Sequence, residues 1–144
     1  GYAEDAYKML VKDKAPSWGY WIKTKGYSTL PETWEMSPQF FDASLNHVFL
    51  GDVSAWMVND ITGINFDPEQ PGFRNIIIRP HFLKELQWAR SSYHSVNGLI
   101  STEWRRSGNT IRFEVSIPGN CTASVYLDKM IHLKAGSHVF VLSE

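Results

Sequence analysis

Residues 65–72, a run of turn formers that includes two prolines and a glycine, divide this sequence into two parts with different hydrophobic periods. Such residues interrupt helices and strands alike, so they mark a change of architecture. Before the run, apolar residues recur at the spacing of an amphipathic helix. After it, they alternate with polar residues, which is typical of a half-buried strand. The order of the two periods predicts an α+β fold in which the helices come first.

Two amphipathic helices are predicted in the first part. Apolar residues at helical spacing indicate one helix over residues 3–13, which stops before Pro16. A second helix is predicted over residues 46–61, with Gly63 suited to a left-handed C-terminal cap. Two helices cannot enclose a core of their own, and their wide apolar faces demand further neighbours. We therefore expect the chain to begin inside a larger fold whose earlier helices are missing.

Short strand-like runs fill the second part. Residues 111–117 alternate most regularly, with four apolar side chains on one face. Glycine-containing connections at residues 107–109 and 118–120 predict hairpins. Several short strands at this spacing favour a small antiparallel β-sandwich. The other predicted strands cover residues 76–78, 86–92, 99–106, 121–127 and 139–142.

The composition excludes several classes of function. Fourteen basic and fifteen acidic residues leave a net charge of -1 with no basic stripe, so no nucleic-acid partner is expected. Cys121 is the only cysteine, which excludes an internal disulfide and a cysteine-rich metal site. No ligand spacing connects His81, His94, His132 or His138 to carboxylates, so neither a metal nor another cofactor is expected. No apolar run approaches the roughly 20 residues that a membrane span needs, so no membrane partner is expected, and the compartment stays open between periplasmic, secreted and cytoplasmic.

Residues 16–35 combine aromatic rings and carboxylates in one short stretch. Glycine and proline separate the rings, as in a wall that stacks on the apolar face of a sugar. Carboxylates beside such a wall can bind sugar hydroxyls, and Glu32 and Glu35 are the candidates. The alternative is an aromatic core that seals a helical barrel, and we expect a mixture of the two. The rings belong to Trp18, Tyr20, Trp21, Tyr27 and Trp34.

Glu32 is the stronger catalytic candidate, because Pro31 stiffens the loop that presents it. The alternative is a solvated loop glutamate, the common state of this residue type. Glycoside hydrolysis needs two carboxyl groups flanking the scissile bond, so Glu32 would supply half of a mechanism. Glu35 is too near in sequence to act from the opposite face of a sugar ring, which favours a rim or structural role for it.

The start of the second predicted helix supplies another candidate group. Free backbone N–H groups and the helix dipole at Asn46 and His47 would favour an anion or a hydroxyl-rich ligand. A neutral imidazole at His47 can hydrogen-bond a hydroxyl, whereas the alternative is a capping Asn46 beside a surface His47. Asp52 falls on the apolar face of this helix, where we expect a paired acid. Neither Asp52 nor its neighbours Asp42 and Asp60 has a setting typical of a proton donor.

Several landmarks occur in a specific order along the chain: Pro-Ser-Trp-Gly-Tyr at residues 16–20, Ser-Thr-Leu-Pro-Glu-Thr-Trp-Glu at residues 28–35, Ser-Leu-Asn-His at residues 44–47, Pro-Gly-Phe at residues 71–73 and Ile-Ile-Ile-Arg-Pro at residues 76–80. Together they resemble the C-terminal end of the bacterial α-L-rhamnosidases of glycoside hydrolase family 78. The resemblance covers nearly the whole chain. Any one of these landmarks is weak alone, but their order is specific.

The resemblance implies that residues 1–65 are the last helices and active-site loop of an α/α toroid and that residues 66–144 are the C-terminal β-sandwich. It also implies that Glu32 is the general base of an inverting hydrolase and that Trp34 and His47 line the sugar pocket. The general acid would lie upstream, in the missing N-terminal part of the same polypeptide, so this chain alone is expected to be inactive. The expected ligand is a rhamnose-containing oligosaccharide or glycoside.

Two departures from the family pattern accompany the match. Pro31 stands where the family usually has Trp, and Thr33 where it usually has Arg, so the alternatives are a related deoxysugar as the substrate or an inactive relative. A non-catalytic carbohydrate-binding module is the alternative function, with Trp18, Tyr20 and Trp34 as its platform. A third reading is a purely structural lid-and-sandwich unit.

Overall fold

The chain divides into two compact units, Gly1–Ala55 and Trp56–Glu144. Their coordinates are those of a computed structural model, which describes residues 2–34 and 43–144. Helical segments occupy the first unit and the start of the second, and strands occupy the remainder of the second. The α+β class and the order of helices before strands are therefore confirmed.

Helix α1 spans Ala3–Val11 and thus ends before the predicted residue 13. Glu4 and Asp5 lie in its first turn, where the helix dipole favours negative charge. Further along the chain, Gly19 lies against the end of α1, and a Cβ on Gly19 would be 2.7 Å from the Val11 carbonyl oxygen. Only glycine permits this close approach, so Gly19 allows the aromatic stretch to pack on α1.

The second predicted helix corresponds to a 3-10 turn at Phe49–Asp52, helix α2 at Val53–Trp56 and a π-helical turn at Met57–Ile61, and a separate π-helical turn at Tyr20–Thr24 precedes it. Its end agrees with the prediction, but its predicted start at residue 46 is wrong. The His47 backbone N–H donates to the Leu30 carbonyl over 2.8 Å, which keeps this part of the chain alongside residues 29–32 instead of in a helix.

The segment ends at a glycine, as predicted. Gly63 has a φ of 85°, in the left-handed region, and a Cβ there would lie 2.4 Å from the Pro80 nitrogen. Thr62 donates its hydroxyl to the Val58 carbonyl over 2.9 Å and so satisfies one of the last helical acceptors. Glycine is therefore required at position 63 by both its conformation and its neighbour.

One six-stranded sheet forms the rest of the second unit, in the order β1-β2-β5-β4-β3 with β6 also paired to β5. Most pairs are antiparallel, as predicted, but β2 and β5 run parallel. Strand β5 is central because it pairs with β2, β4 and β6. The strands are β1 Ile64–Phe66, β2 Asn75–Ile78, β3 Trp88–Ser95, β4 Gly98–Ser107, β5 Thr110–Tyr126 and β6 Met130–Ser143.

The hairpin predicted at residues 118–120 is wrong. Strand β5 continues through these residues, and its pairing with β6 shows a register shift between Ile117 and Thr122. Proline cannot donate a ladder hydrogen bond, and Asn120 has a φ of 62°, so the interruption takes the form of an irregularity within one strand. The hairpin predicted at residues 107–109 is confirmed, because Ser107 pairs directly with Thr110.

The core of the second unit lies along one face of β2, β4 and β5. Trp104 is fully buried and donates its indole N–H to the Ile61 carbonyl over 3.0 Å. Thr102 donates to the Thr62 carbonyl over 3.0 Å, so the end of the helical segment is tied to β4. The other large, fully buried hydrophobic side chains of this unit are Ile76, Ile78, Leu83, Ile100, Ile111, Phe113, Val115 and Val125.

Candidate active site

Two segments of the first unit lie side by side and carry two of the predicted site residues, Glu32 and His47. The Glu32 backbone N–H donates to the Ser44 carbonyl over 2.9 Å, and the His47 N–H donates to the Leu30 carbonyl over 2.8 Å. The Thr29 hydroxyl also donates to the Leu45 carbonyl. Because residue numbers rise along one segment as they fall along the other, residues 29–32 run antiparallel to residues 44–47.

The Glu32 carboxylate is exposed and is held at one oxygen. Its Oε2 accepts the Ser44 backbone N–H over 3.0 Å, so backbone and side chain of Glu32 both bind the same residue. A backbone donor to a carboxylate fixes the orientation of the group. In the part of the chain that the structure describes, no hydrogen bond engages the second oxygen, Oε1.

His47 is half-buried and its ring has a local partner. Its Nδ1 accepts the Phe49 backbone N–H over 3.0 Å, which makes Nδ1 an acceptor and leaves Nε2 to carry the proton of the neutral ring. The ring also lies 5.9 Å from that of Phe49, centroid to centroid. Asn46, predicted to cap the second helix, does not do so, because the residue preceding that helical segment is Val48, which makes no side-chain cap.

Three tryptophans form a cluster in the first unit. The Trp34 ring stacks on Trp21 at 4.6 Å and meets the edge of Trp18 at 4.8 Å, centroid to centroid. Trp21 is 1% exposed and donates its indole N–H to the Trp34 carbonyl over 3.2 Å, whereas Trp18 donates to the Leu50 carbonyl over 2.9 Å. Trp18 and Trp34 stay half-buried, so the cluster has a buried base and a partly accessible side.

Tyr20 has different surroundings from these rings. Its backbone N–H donates to the Ser17 hydroxyl over 2.9 Å, and the Lys25 ammonium lies 5.6 Å from the centre of its ring. Among the described residues, no aromatic contact joins Tyr20 to the tryptophan cluster.

The acidic residues weighed beside Glu32 divide into three groups. Glu35 and Asp42 lie outside the described residues. The expectation of a paired acid at Asp52 is wrong, because Asp52 is exposed and forms no ion pair with the residues that the structure describes. Asp60 lies beside His81, with 3.7 Å between Oδ1 and Nδ1.

The described residues contain neither a cluster of metal-ligating side chains nor a helix of membrane-spanning character. Residues 2–34 and 43–144 contain no group of three histidine, cysteine, aspartate or glutamate side chains placed to hold a metal ion. In the same residues, no helix has both the length and the apolar character needed to cross a membrane.

Comparison with family models places this chain in a family of glycoside hydrolases. Residues 1–61 match the bacterial alpha-L-rhamnosidase 6 hairpin glycosidase domain, and residues 63–137 match the bacterial alpha-L-rhamnosidase C-terminal domain. The chain belongs to the bacterial α-L-rhamnosidases, and the resemblance noted in the sequence is confirmed. The two matches adjoin at residue 62, while the predicted division after residue 65 stays a prediction.

Individual relatives agree with this family. The chain is 34% identical over 135 residues to an α-L-rhamnosidase of Streptomyces avermitilis, covering 88% of this chain and 13% of the relative. Its fold matches the structure of an α-L-rhamnosidase from Dictyoglumus thermophilum with a TM-score of 0.88 and 27% identity, over 100% of this chain and 19% of that one. The Streptomyces avermitilis α-L-rhamnosidase complexed with L-rhamnose matches with a TM-score of 0.85 and 30% identity, over 99% and 16%. The chain thus spans a small part of the length of these relatives.

Proposed function

We propose that this chain is the closing part of a longer inverting α-L-rhamnosidase in which Glu32 is the general base. In an inverting glycosidase, one carboxylate takes a proton from water on one face of the sugar while a carboxylic acid protonates the leaving oxygen on the other. The general acid belongs to the remainder of the longer polypeptide, about 6.5–9.5 Å from Glu32 across the bound sugar. The 144 residues alone are therefore expected not to hydrolyse a rhamnoside.

The observation that supports this proposal most is the pairing of residues 29–32 with residues 44–47. The pairing brings Glu32 and His47, which are distant in sequence, onto adjacent segments, with hydrogen bonds of 2.8–2.9 Å between the backbones. Sites that hold a carboxylate and an imidazole on a fixed backbone are suited to bind and activate polar groups of a substrate.

The two carboxylate oxygens of Glu32 are proposed to have different roles. Oε2 accepts the Ser44 N–H, which orients the carboxylate. Oε1 is then the atom that takes the proton from water as the water oxygen attacks C1 of the sugar and the C1–O bond to the leaving group breaks. The proton moves to Glu32, and the general acid supplies another to the departing oxygen.

Trp34 and His47 are proposed to bind the sugar. The half-buried Trp34 ring is fixed by Trp21 and Trp18, so it offers a rigid apolar surface to the C–H face of a deoxysugar. The Phe49 N–H donates to Nδ1 of His47, so the proton of the neutral ring is on Nε2. The Nε2–H group can then donate to a sugar hydroxyl. Trp18 supports Trp34 edge-on, and Tyr20 remains a candidate at the rim.

The experiment that tests the role of Glu32 is substitution in the full-length polypeptide. Glu32→Gln keeps the size of the side chain and removes the base, so kcat for an aryl α-L-rhamnoside should fall by about 10²–10⁴-fold with little change in KM. Glu85→Gln, an exposed glutamate of the second unit, is the matched control and should leave kcat unchanged.

The outcome also separates this proposal from a binding module. Near-normal turnover by Glu32→Gln would contradict the base assignment. Retained turnover together with saccharide affinity that is lost in Trp18→Ala and Trp34→Ala would favour the carbohydrate-binding alternative. Unchanged activity and unchanged binding in all three variants would favour the purely structural reading.

A further inference from the structure

A second candidate site lies on the solvent-facing side of strands β3, β4, β5 and β6, where the structure has an open cavity of about 580 Å³. A cavity of this volume is in the range of small-molecule sites. The strand registers align its polar side chains in rows across the sheet. We define the sheet trough by six of its lining residues: Arg90, Glu103, Glu114, Ser101, Ser116 and Ser137.

Arg90, Glu103 and Glu114 form a charged row across β3, β4 and β5. Their positions do not contribute to the stability of the sheet. Glu103 and Glu114 are direct cross-strand neighbours, and like charges at such positions destabilise a sheet. Each is compensated on its own strand, Glu103 by Arg105 at 2.6 Å and Glu114 by Arg112 at 2.9 Å. Exposed ion pairs of this kind contribute little to stability, so the pairs mainly hold the two carboxylates in place.

Arg90 completes this row at the edge strand. It is the direct partner of Glu103 in the β3–β4 register, and it is exposed. Among residues 2–34 and 43–144, no carboxylate forms an ion pair with Arg90. A guanidinium presents several donors in a fixed plane, so Arg90 adds donors beside the acceptors of Glu103 and Glu114.

Apolar surface flanks the polar floor. Trp88, two residues before Arg90 on β3, is 53% exposed, and the Arg105 guanidinium lies 5.7 Å from the centre of its ring. Val139 of β6 is also exposed and lies opposite Glu114. An exposed indole at one end and a valine at the other give the trough two places where C–H groups can pack.

We propose that the sheet trough binds a neutral oligosaccharide. Serine hydroxyls, fixed carboxylates and a guanidinium can bond the hydroxyls of a sugar, while Trp88 contacts its C–H face. Glu103 and Glu114 are paired with arginines of their own strands and Arg90 adds one positive charge, so the trough gives little attraction for a polyanion or polycation. Ser101, Ser116 and Ser137 form a row of serines at the centre of the trough. The centre therefore lacks the large aromatic side chains that dominate protein–protein interfaces, which favours a saccharide over a protein partner. This site lies wholly in the second unit and does not depend on the role of Glu32.

The test is isothermal titration of the full-length polypeptide with neutral tri- and tetrasaccharides of rhamnose, glucose and galactose. Glu32→Gln serves as the background, so that the ligands are not hydrolysed. Glu103→Gln and Trp88→Ala should each weaken binding at one class of sites by about tenfold or more, the loss expected for a hydrogen bond to a charged group or a stacking surface. Lys129→Ala, an exposed residue of the β5–β6 turn, is the control and should bind as before.

A variant that fills the trough with a larger side chain distinguishes loss of binding from loss of folding. Ser92 is an exposed residue of β3 that pairs with Ser101 of the trough, so Ser92→Tyr places a bulky ring beside the trough serines without removing an ion pair. It should abolish binding at the trough while leaving the thermal unfolding temperature and hydrolysis of a small aryl rhamnoside, measured with Glu32 intact, unchanged. Absence of any saccharide binding outside the Glu32 site, or saccharide affinity unaffected by Ser92→Tyr and Glu103→Gln, would overturn the proposal.

Discussion

The first and second units differ in how they bury their apolar side chains. The second has a continuous core on β2, β4 and β5, with Trp104 and Phe113 fully excluded from solvent. In the first unit, the buried hydrophobic side chains among the described residues are Leu10 and Trp21, and the residues of the candidate active site are fixed by individual hydrogen bonds and ring contacts. The difference indicates that the sheet is stabilised by its own core, whereas the segments that carry the candidate site are held by a few directed contacts.

Truncation gives the largest expected effect on this comparison. Residues 56–144 expressed alone should unfold cooperatively in urea, because the core of the sheet is contained within them. Residues 1–55 expressed alone should show no cooperative transition, because so short a segment with exposed apolar side chains buries too little surface. Circular dichroism against urea concentration measures both. A cooperative transition in the shorter fragment would remove the proposed contrast.

Substitutions of two tryptophans sharpen the comparison within the sheet. Trp104→Ala should lower the free energy of unfolding by about 3–5 kcal/mol, since it empties a fully buried site and leaves the Ile61 carbonyl unpaired. Trp88→Ala, at an exposed position of the same sheet, should cost less than about 1 kcal/mol. Urea unfolding of the full-length protein measures both, and equal losses would contradict the assigned core.

Loss of the ion pair between Arg106 and Glu144 should have the smallest effect on the free energy of unfolding, and this effect should depend on pH. Arg106 donates to Glu144 over 2.6 Å and, together with the positive charge of its guanidinium, holds the pKa of this carboxyl below its ordinary value of 4.5. A lowered folded-state pKa means that the pair stabilises the fold above pH 4.5 and that this contribution is lost as the pH falls through the lowered pKa.

Glu144→Gln should therefore lower the free energy of unfolding slightly at neutral pH, because Glu144 is partly exposed. The difference from the natural sequence should disappear in acid. Urea titrations of the two proteins across this pH range measure it, with Glu69→Gln in the exposed turn as the control. A difference that stays constant with pH would show that the ion pair is not its cause.

Local chemistry accounts for the parts of the fold that the sequence predicted. The alternation of residues 111–117 placed four apolar side chains on the buried face, and Gly63 adopts the left-handed conformation expected of a helix end. Distant partners decided the parts that failed. Pro118, Gly119 and Asn120 have hairpin composition, yet β6 pairs with β5 on both sides of them and keeps the strand continuous. The second helix starts late because Leu30 binds the His47 backbone.

The candidate site was predictable in its residue types rather than in its arrangement. Composition alone predicted that residues 16–35 combine an aromatic wall with a carboxylate, but it could not tell that Trp21 is the buried base beneath Trp18 and Trp34. Nor does any local pattern indicate that the Ser44 N–H binds Glu32, since the two residues meet only through long-range backbone pairing. The sheet trough likewise has no local sequence signal, because its residues come from four separate strands.

Chemical rescue of Glu32→Ala in the full-length protein tests the role of Glu32 most directly. Azide is a nucleophile that needs no base, so it can take the place of the activated water in the space left by the carboxylate. With an activated aryl α-L-rhamnoside, azide should restore turnover and give the β-rhamnosyl azide, seen by proton NMR, because attack occurs on the face opposite the leaving group. An α-configured azide, or turnover by Glu32→Ala in plain buffer at the rate of the natural protein, would contradict the assignment of Glu32 as the base.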